Sequence, residues 1–286
     1  MGDGRWPMAT LARQPIGRGC RLVTRILSGL VLLALVVGVV WLGPAWATLL
    51  LVAVVLAIAH AEYVALAERV GRPLPRALML VAALSACVGL AWPGIPPEVP
   101  LLAAFVAVGS ALLGSSRPDE DVLRRVGVAL LPVLYLGLPL GALASVRAQH
   151  GAAALLLLVG VVVVSDTAQL YGGRVFGRRP LAPAVSPKKT VEGAASGFVA
   201  GAVVAPLLGR WWLPGASPAA LAVAGIVLVA FGIVGDLFES LLKRSAGVKD
   251  TSGLIPGHGG MLDRIDSLLF AGPAYYLFLA YVFQAG

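Results

Sequence analysis

At 286 residues, 59% hydrophobic and only 13% charged, with a mean hydropathy of +0.91, the chain lies well outside the range of a soluble globular domain. Its net charge of +8 does not point to nucleic acid, because basic residues in so apolar a chain mark cytoplasmic loops beside anionic lipid. Two cysteines, Cys20 and Cys87, exclude a disulfide framework and offer no metal-ligand spacing.

Spans of about 17 to 25 apolar residues are the repeating unit of such a chain. The sequence predicts an all-α, polytopic integral membrane protein with about nine transmembrane helices, at 26–42, 45–61, 77–92, 99–114, 126–145, 152–170, 194–209, 219–234 and 268–283. Breakers separate them at Gly43-Pro44, Pro93-Gly94 with Pro96-Pro97, and Pro214-Gly215. The first apolar stretch is longer than a signal-peptide core of about 7 to 15 residues, and a second span follows directly, so it reads as a retained helix. With the N-terminus cytoplasmic, 20 of the 22 Lys and Arg fall on the cytoplasmic side and two, Arg147 and Arg210, on the other. This asymmetry sets the orientation. The chain divides into a basic tail (1–24), N-terminal helices (25–150), and a C-terminal half (151–286) with two cytoplasmic loops, 165–193 and 235–267.

Polar chemistry is concentrated in those loops. The first begins with Asp166 near the end of a span, where an ionisable residue marks either a functional site or a side chain reaching water and pairing with Arg174. Ser186, Lys188, Lys189 and Thr190 then place hydroxyls and ammonium groups together, a combination suited to phosphate. In the second loop, Asp236, Glu239 or Ser240, and Lys243 share a helical face, as do Asp263, Asp266 and Ser267. Two carboxylate-bearing helix ends converging across a loop suit Mg²⁺, which takes one or two carboxylates plus phosphate oxygens and water. Acidic residues opening a helix also favour its dipole without any metal. Between them, Gly257, Gly259 and Gly260 flank His258, and a glycine-rich turn lets backbone amides approach a phosphate. His258 either donates to that phosphate or satisfies loop carbonyls.

Ser240-Leu241-Leu242-Lys243-Arg244, Lys249-Asp250, Gly253-Leu254 and Pro256-Gly257-His258-Gly259-Gly260-Met261-Leu262-Asp263-Arg264-Ile265-Asp266 closely resemble the signature of phosphatidate cytidylyltransferases, also called CDP-diacylglycerol synthases. Ser165-Asp166-Thr167, Tyr171-Gly172-Gly173 and Ser186-Pro187-Lys188-Lys189-Thr190-Val191-Glu192-Gly193 agree in order. The resemblance covers the last four spans and implies Mg²⁺-dependent transfer of the cytidylyl group of CTP to phosphatidic acid, releasing pyrophosphate, at the cytoplasmic face of the cell membrane. It implies metal ligation by Asp236 and Asp263, with Asp266, Asp250 and Glu239 near the ion or its waters, and Asp166 as a further catalytic candidate. Lys188, Lys189, Lys243, Arg244, Lys249 and Arg264 are then candidates for the triphosphate, the pyrophosphate or the lipid phosphate, with Ser186, Thr190, His258, Gly259 and Gly260 beside them. Members of the family are also described with a second, monovalent cation such as K⁺ and as homodimers. The competing expectations are a CTP-dependent lipid kinase, a cytidylyltransferase for another lipid phosphate, or an anion transporter. A transporter tends to place its charges near the bilayer midplane within inverted repeats, and no repeat is visible here.

Overall fold

The computed structural model describes residues 18–71, 74–92, 94–115, 120–254 and 259–283. The chain forms α1 (Arg18–Leu42), α2 (Ala45–Val70), α3 (Arg76–Ala91), α4 (Glu98–Ser115), α5 (Val122–Pro132), a π-helical turn (Val133–Gly137) and α6 (Leu138–Phe176). A short antiparallel hairpin, β1 (Pro180–Ala182) with β2 (Ser186–Thr190), leads into α7 (Val191–Trp212) and α8 (Pro218–Ser245). Last come α9 (Leu262–Leu277) and a second π-helical stretch (Phe278–Phe283). The hairpin is the one departure from the all-α expectation among the described residues.

Element boundaries follow local chemistry. Gly43-Pro44 separates α1 from α2, with the Gly43 amide closing on the Val39 carbonyl at 3.1 Å. Pro139 has no N–H for the carbonyl four residues back, and the helix widens into a π turn just before it. Ser217 caps α8 by accepting from the Ala220 amide at 3.1 Å. α1 already begins at Arg18, within the basic tail of residues 1–24.

Five helical stretches among the described residues are long and apolar enough to cross a membrane: Ala45–Val70, Val122–Phe176, Val191–Trp212, Pro218–Ser245 and Leu262–Phe283. Three shorter apolar helices, Val31–Leu42, Arg76–Ala91 and Glu98–Gly114, accompany them. Hydropathy divides 126–170 into two spans joined by a loop, whereas here the run of 55 residues is continuous except at Gly151, with φ 85° and ψ 179°. One residue in a glycine-only conformation does the work expected of a loop.

Buried leucines from α2, α6 and α9 (Leu56, Leu157, Leu158, Leu262, Leu269), with Met79 of α3 and Tyr275 of α9, form the core. Large apolar side chains also cover the outside: Leu42, Val81, Leu113, Val199 and Trp211 are all exposed. Water would penalise such a surface and lipid would not. α7 and α8 approach closely at Gly201 and Gly225, where a Cβ on Gly225 would lie 2.2 Å from the Gly201 carbonyl oxygen. Small residues at such crossings let backbones pack without bulky side chains between them.

Candidate active site

Four elements bring their polar ends to one cavity of about 560 Å³: α6, the β1–β2 hairpin, α8 and α9. Asp166 and Gln169 come from α6, Lys188, Lys189 and Thr190 from β2, Asp236 from α8, and Asp263, Arg264, Asp266 and Ser267 from α9. Polar residues as far apart in the sequence as Asp166 and Ser267 thus line a single basin.

The hairpin is held in place locally. Glu192 at the start of α7 accepts from the Arg178 and Arg179 amides at 2.9 and 3.2 Å. Thr190 caps α7 by accepting from the Gly193 amide at 3.1 Å. Thr190 therefore shapes the strand-to-helix junction while bordering the cavity. Lys189 then reaches across to α8, its Nζ 2.6 Å from Asp236 Oδ2, and Ser240 stands one turn further on, 3.4 Å from the other Asp236 oxygen.

Asp263 is the most heavily engaged of the four carboxylates. Its Oδ1 takes Lys243 Nζ at 2.6 Å, and its Oδ2 accepts from the Thr251 amide, the Thr251 hydroxyl and the Gly260 amide at 3.0, 2.7 and 2.8 Å. Lys243 also ion-pairs with Glu239, which is fully buried and lies behind the lysine, away from the cavity lining. Asp166 does not pair with Arg174 as one expectation had it. It accepts from Gln169 Nε2 at 3.0 Å, and the Arg174 guanidinium lies over the Tyr171 ring instead. Asp266 accepts from the Ser267 amide at 2.7 Å.

Several expected site residues are placed elsewhere. Lys249 and Asp250 are exposed and do not line the cavity, and Arg244 is spent on the Val248 carbonyl at 3.0 Å, tying the end of α8 to its following turn. Ser186 sits at the hairpin's far register, opposite Ala182, and also lies outside the lining. Gly260 gives its amide to Asp263 rather than holding it open for a phosphate. Gly259 adopts φ 83°, a conformation that only glycine takes readily, and turns the chain into α9. His258 lies outside the described residues, as does Gly257 before it.

Glu62 of α2 is the residue that sequence reasoning missed. It is buried and accepts four hydrogen bonds from the loop before α9: Thr251 Oγ1 at 3.2 Å, Ser252 Oγ at 2.5 Å, and the Met261 and Leu262 amides at 3.0 and 2.8 Å. The only signal was a carboxylate bordering an apolar span, which points to function or pairing by default.

Among the described residues no three His, Cys, Asp or Glu side chains stand as a ready-made ion cage. Asp236 and Asp263 are each held by a lysine instead. A hard-oxygen donor set with lysines beside it fits Mg²⁺ that arrives carrying phosphate oxygens, since such an ion needs only one or two carboxylates from the protein.

The chain is similar in sequence to known proteins. The profile of the Cytidylyltransferase family matches residues 23–282. The phosphatidate cytidylyltransferase of Helicobacter pylori strain J99 is 37% identical over 189 residues, covering 66% of this chain and 67% of that protein. That of Bacillus subtilis is 35% identical over 188 residues, 64% of this chain and 68% of its own. A chloroplastic phosphatidate cytidylyltransferase of Arabidopsis thaliana is 43% identical over 129 residues, 45% of this chain and 32% of its own. With the match running nearly end to end, the chain belongs to the cytidylyltransferase family of membrane enzymes.

Proposed function

We propose that this chain is a phosphatidate cytidylyltransferase. A phosphate oxygen of phosphatidic acid attacks the α-phosphorus of CTP, the bond from that phosphorus to the bridging oxygen breaks, and pyrophosphate leaves as CDP-diacylglycerol forms. The observation that carries this reading is the single basin where Asp166, Asp236, Asp263 and Asp266 stand beside Lys188, Lys189 and Arg264 in an otherwise apolar bundle. Two polyanions must be brought together there, and no proton need be removed from a nucleophile that is already an anion. Positioning and charge neutralisation are therefore the main demands.

Asp236 and Asp263 would hold Mg²⁺, with Asp266 and Asp166 beside them, and the ion supplies charge neutralisation at the phosphates. Lys189 and Lys243 keep the two carboxylates from repelling each other before substrate arrives. When the triphosphate enters, Lys188, Lys189 and Arg264 offer cationic donors to its oxygens. The site faces the cytoplasm, where CTP is found, of a cell membrane that the chain crosses about nine times. The lipid substrate reaches the basin from the bilayer, and the family resemblance supports a homodimer.

The test uses purified protein with phosphatidic acid and CTP labelled at the α-phosphorus. Label enters the lipid in the presence of Mg²⁺ and pyrophosphate is released in equal amount; chelation stops both. Label entering the lipid only from γ-labelled CTP would replace this reading with a kinase.

A further inference from the structure

We propose that Glu62, on α2, is a positioning residue for this reaction: it ties Thr251 and Ser252 to Met261 and Leu262 and so fixes the Asp263 carboxylate at the basin. The inference rests on the cytidylyltransferase reading for the reaction it affects. Glu62 does not border the cavity, yet it contacts Thr251 and Ser252 at one end of the loop and Met261 and Leu262 at the other. The two amides belong to the first turn of α9, where N–H groups have no partner within the helix, and a carboxylate there also suits the helix dipole. Thr251 is the link. Its hydroxyl lies between Glu62 Oε2 at 3.2 Å and Asp263 Oδ2 at 2.7 Å, while its amide and that of Gly260 hold the same Asp263 oxygen. The Leu262 amide held by Glu62 immediately precedes Asp263 in the chain.

The arrangement demands an acceptor at both oxygens. Met261 donates its backbone N–H to Oε1 and Leu262 donates its own to Oε2. A hydroxyl can rotate to accept, but a backbone N–H cannot. In Glu62→Gln, either orientation of the amide therefore sets an NH₂ against one of these N–H groups, at almost no change in volume.

The test compares full-length Glu62→Gln with the parent protein in detergent, in two readouts. In turnover of CTP and phosphatidic acid, the half-saturating concentrations of Mg²⁺ and CTP rise about tenfold or more, with a smaller fall in kcat, since one unsatisfied buried donor corresponds to roughly that factor. In hydrogen exchange followed by mass spectrometry, the peptide carrying Met261 and Leu262 exchanges faster in the variant while α6 and α8 keep their protection. Unchanged half-saturation, or a fall in kcat alone that tracks the loss of folded protein, overturns the positioning role. Unchanged exchange at 261–262 overturns it as well. If the parent protein does not turn over these substrates, the functional reading fails separately, and the exchange comparison still decides whether Glu62 fastens the loop.

Discussion

Asp263 is held from two sides, by an ammonium group on one oxygen and by three donors on the other. An asparagine at this position satisfies neither arrangement, because its NH₂ meets either Lys243 or the Thr251 and Gly260 donors. The Asp263→Asn protein should lose at least about 100-fold in CDP-diacylglycerol formation, because it removes the negative charge of one of the two carboxylates proposed to hold Mg²⁺. Labelled lipid product, measured at matched amounts of folded protein, checks this. Gly260 is constrained by space rather than charge: a Cβ there would lie 2.0 Å from Thr251 Oγ1 and 2.6 Å from Glu62 Oε1. Both groups are already committed to hydrogen bonds, so neither moves freely. Gly260→Ala should cost about 1 to 3 kcal/mol in stability and lower activity with it, seen as a drop in melting temperature alongside turnover.

At the scale of elements, the spans were readable because lipid forces each apolar run to satisfy its own backbone as a helix. Asp166, Asp236, Asp263 and Asp266 could be picked out for the same reason, as charges at the ends of such runs. The partners were not readable. Lys189 meets Asp236 and Glu62 meets Leu262 only because elements far apart in the chain come side by side, and no local periodicity records that. Nor did hydropathy foresee that residues 180–190 would pair as a hairpin, since Ser186 to Thr190 is polar with two adjacent lysines and reads as a loop. The break at Gly151 shows the converse, a boundary visible in sequence whose form was not. Its φ of 85° with ψ of 179° is open to glycine and strained for any other residue, although a Cβ would meet nothing within 4 Å. Gly151→Ala should therefore destabilise the protein by about 1 to 3 kcal/mol through backbone strain alone. Because Gly151 lies 15 residues before Asp166 on α6, a helix rise of about 20 Å from the basin, the half-saturating CTP concentration should not change, and thermal unfolding with steady-state kinetics on one preparation would separate the two effects.

Across the whole molecule, the ends of the helices away from the basin carry a different chemistry. Trp41 packs on Trp212 at 6.3 Å between ring centroids, Arg210 lies over the Trp211 ring at 3.8 Å, and Arg147 donates to the Val40 and Gly43 carbonyls that close α1. Trp46 and Trp92 are exposed at neighbouring helix ends. Tryptophans with apolar faces and polar edges collect where hydrocarbon meets headgroups. Along α7, Thr190 at the basin and Trp211 are separated by a helix rise of about 30 Å, the thickness of the hydrocarbon core. Arg147 and Arg210 on this side are thus occupied locally, while Arg174, Lys188, Lys189 and Arg264 line the basin. That distribution predicts the orientation of the site. With Cys20 and Cys87 replaced by serine and alanine, a single cysteine introduced as Gly215→Cys should react with a membrane-impermeant maleimide in sealed right-side-out vesicles. One introduced as Ser245→Cys, at the exposed end of α8 beside the basin, should react only after permeabilisation. The opposite pattern would put the basin on the face away from cytoplasmic CTP, and an enzyme so oriented could not draw on that pool.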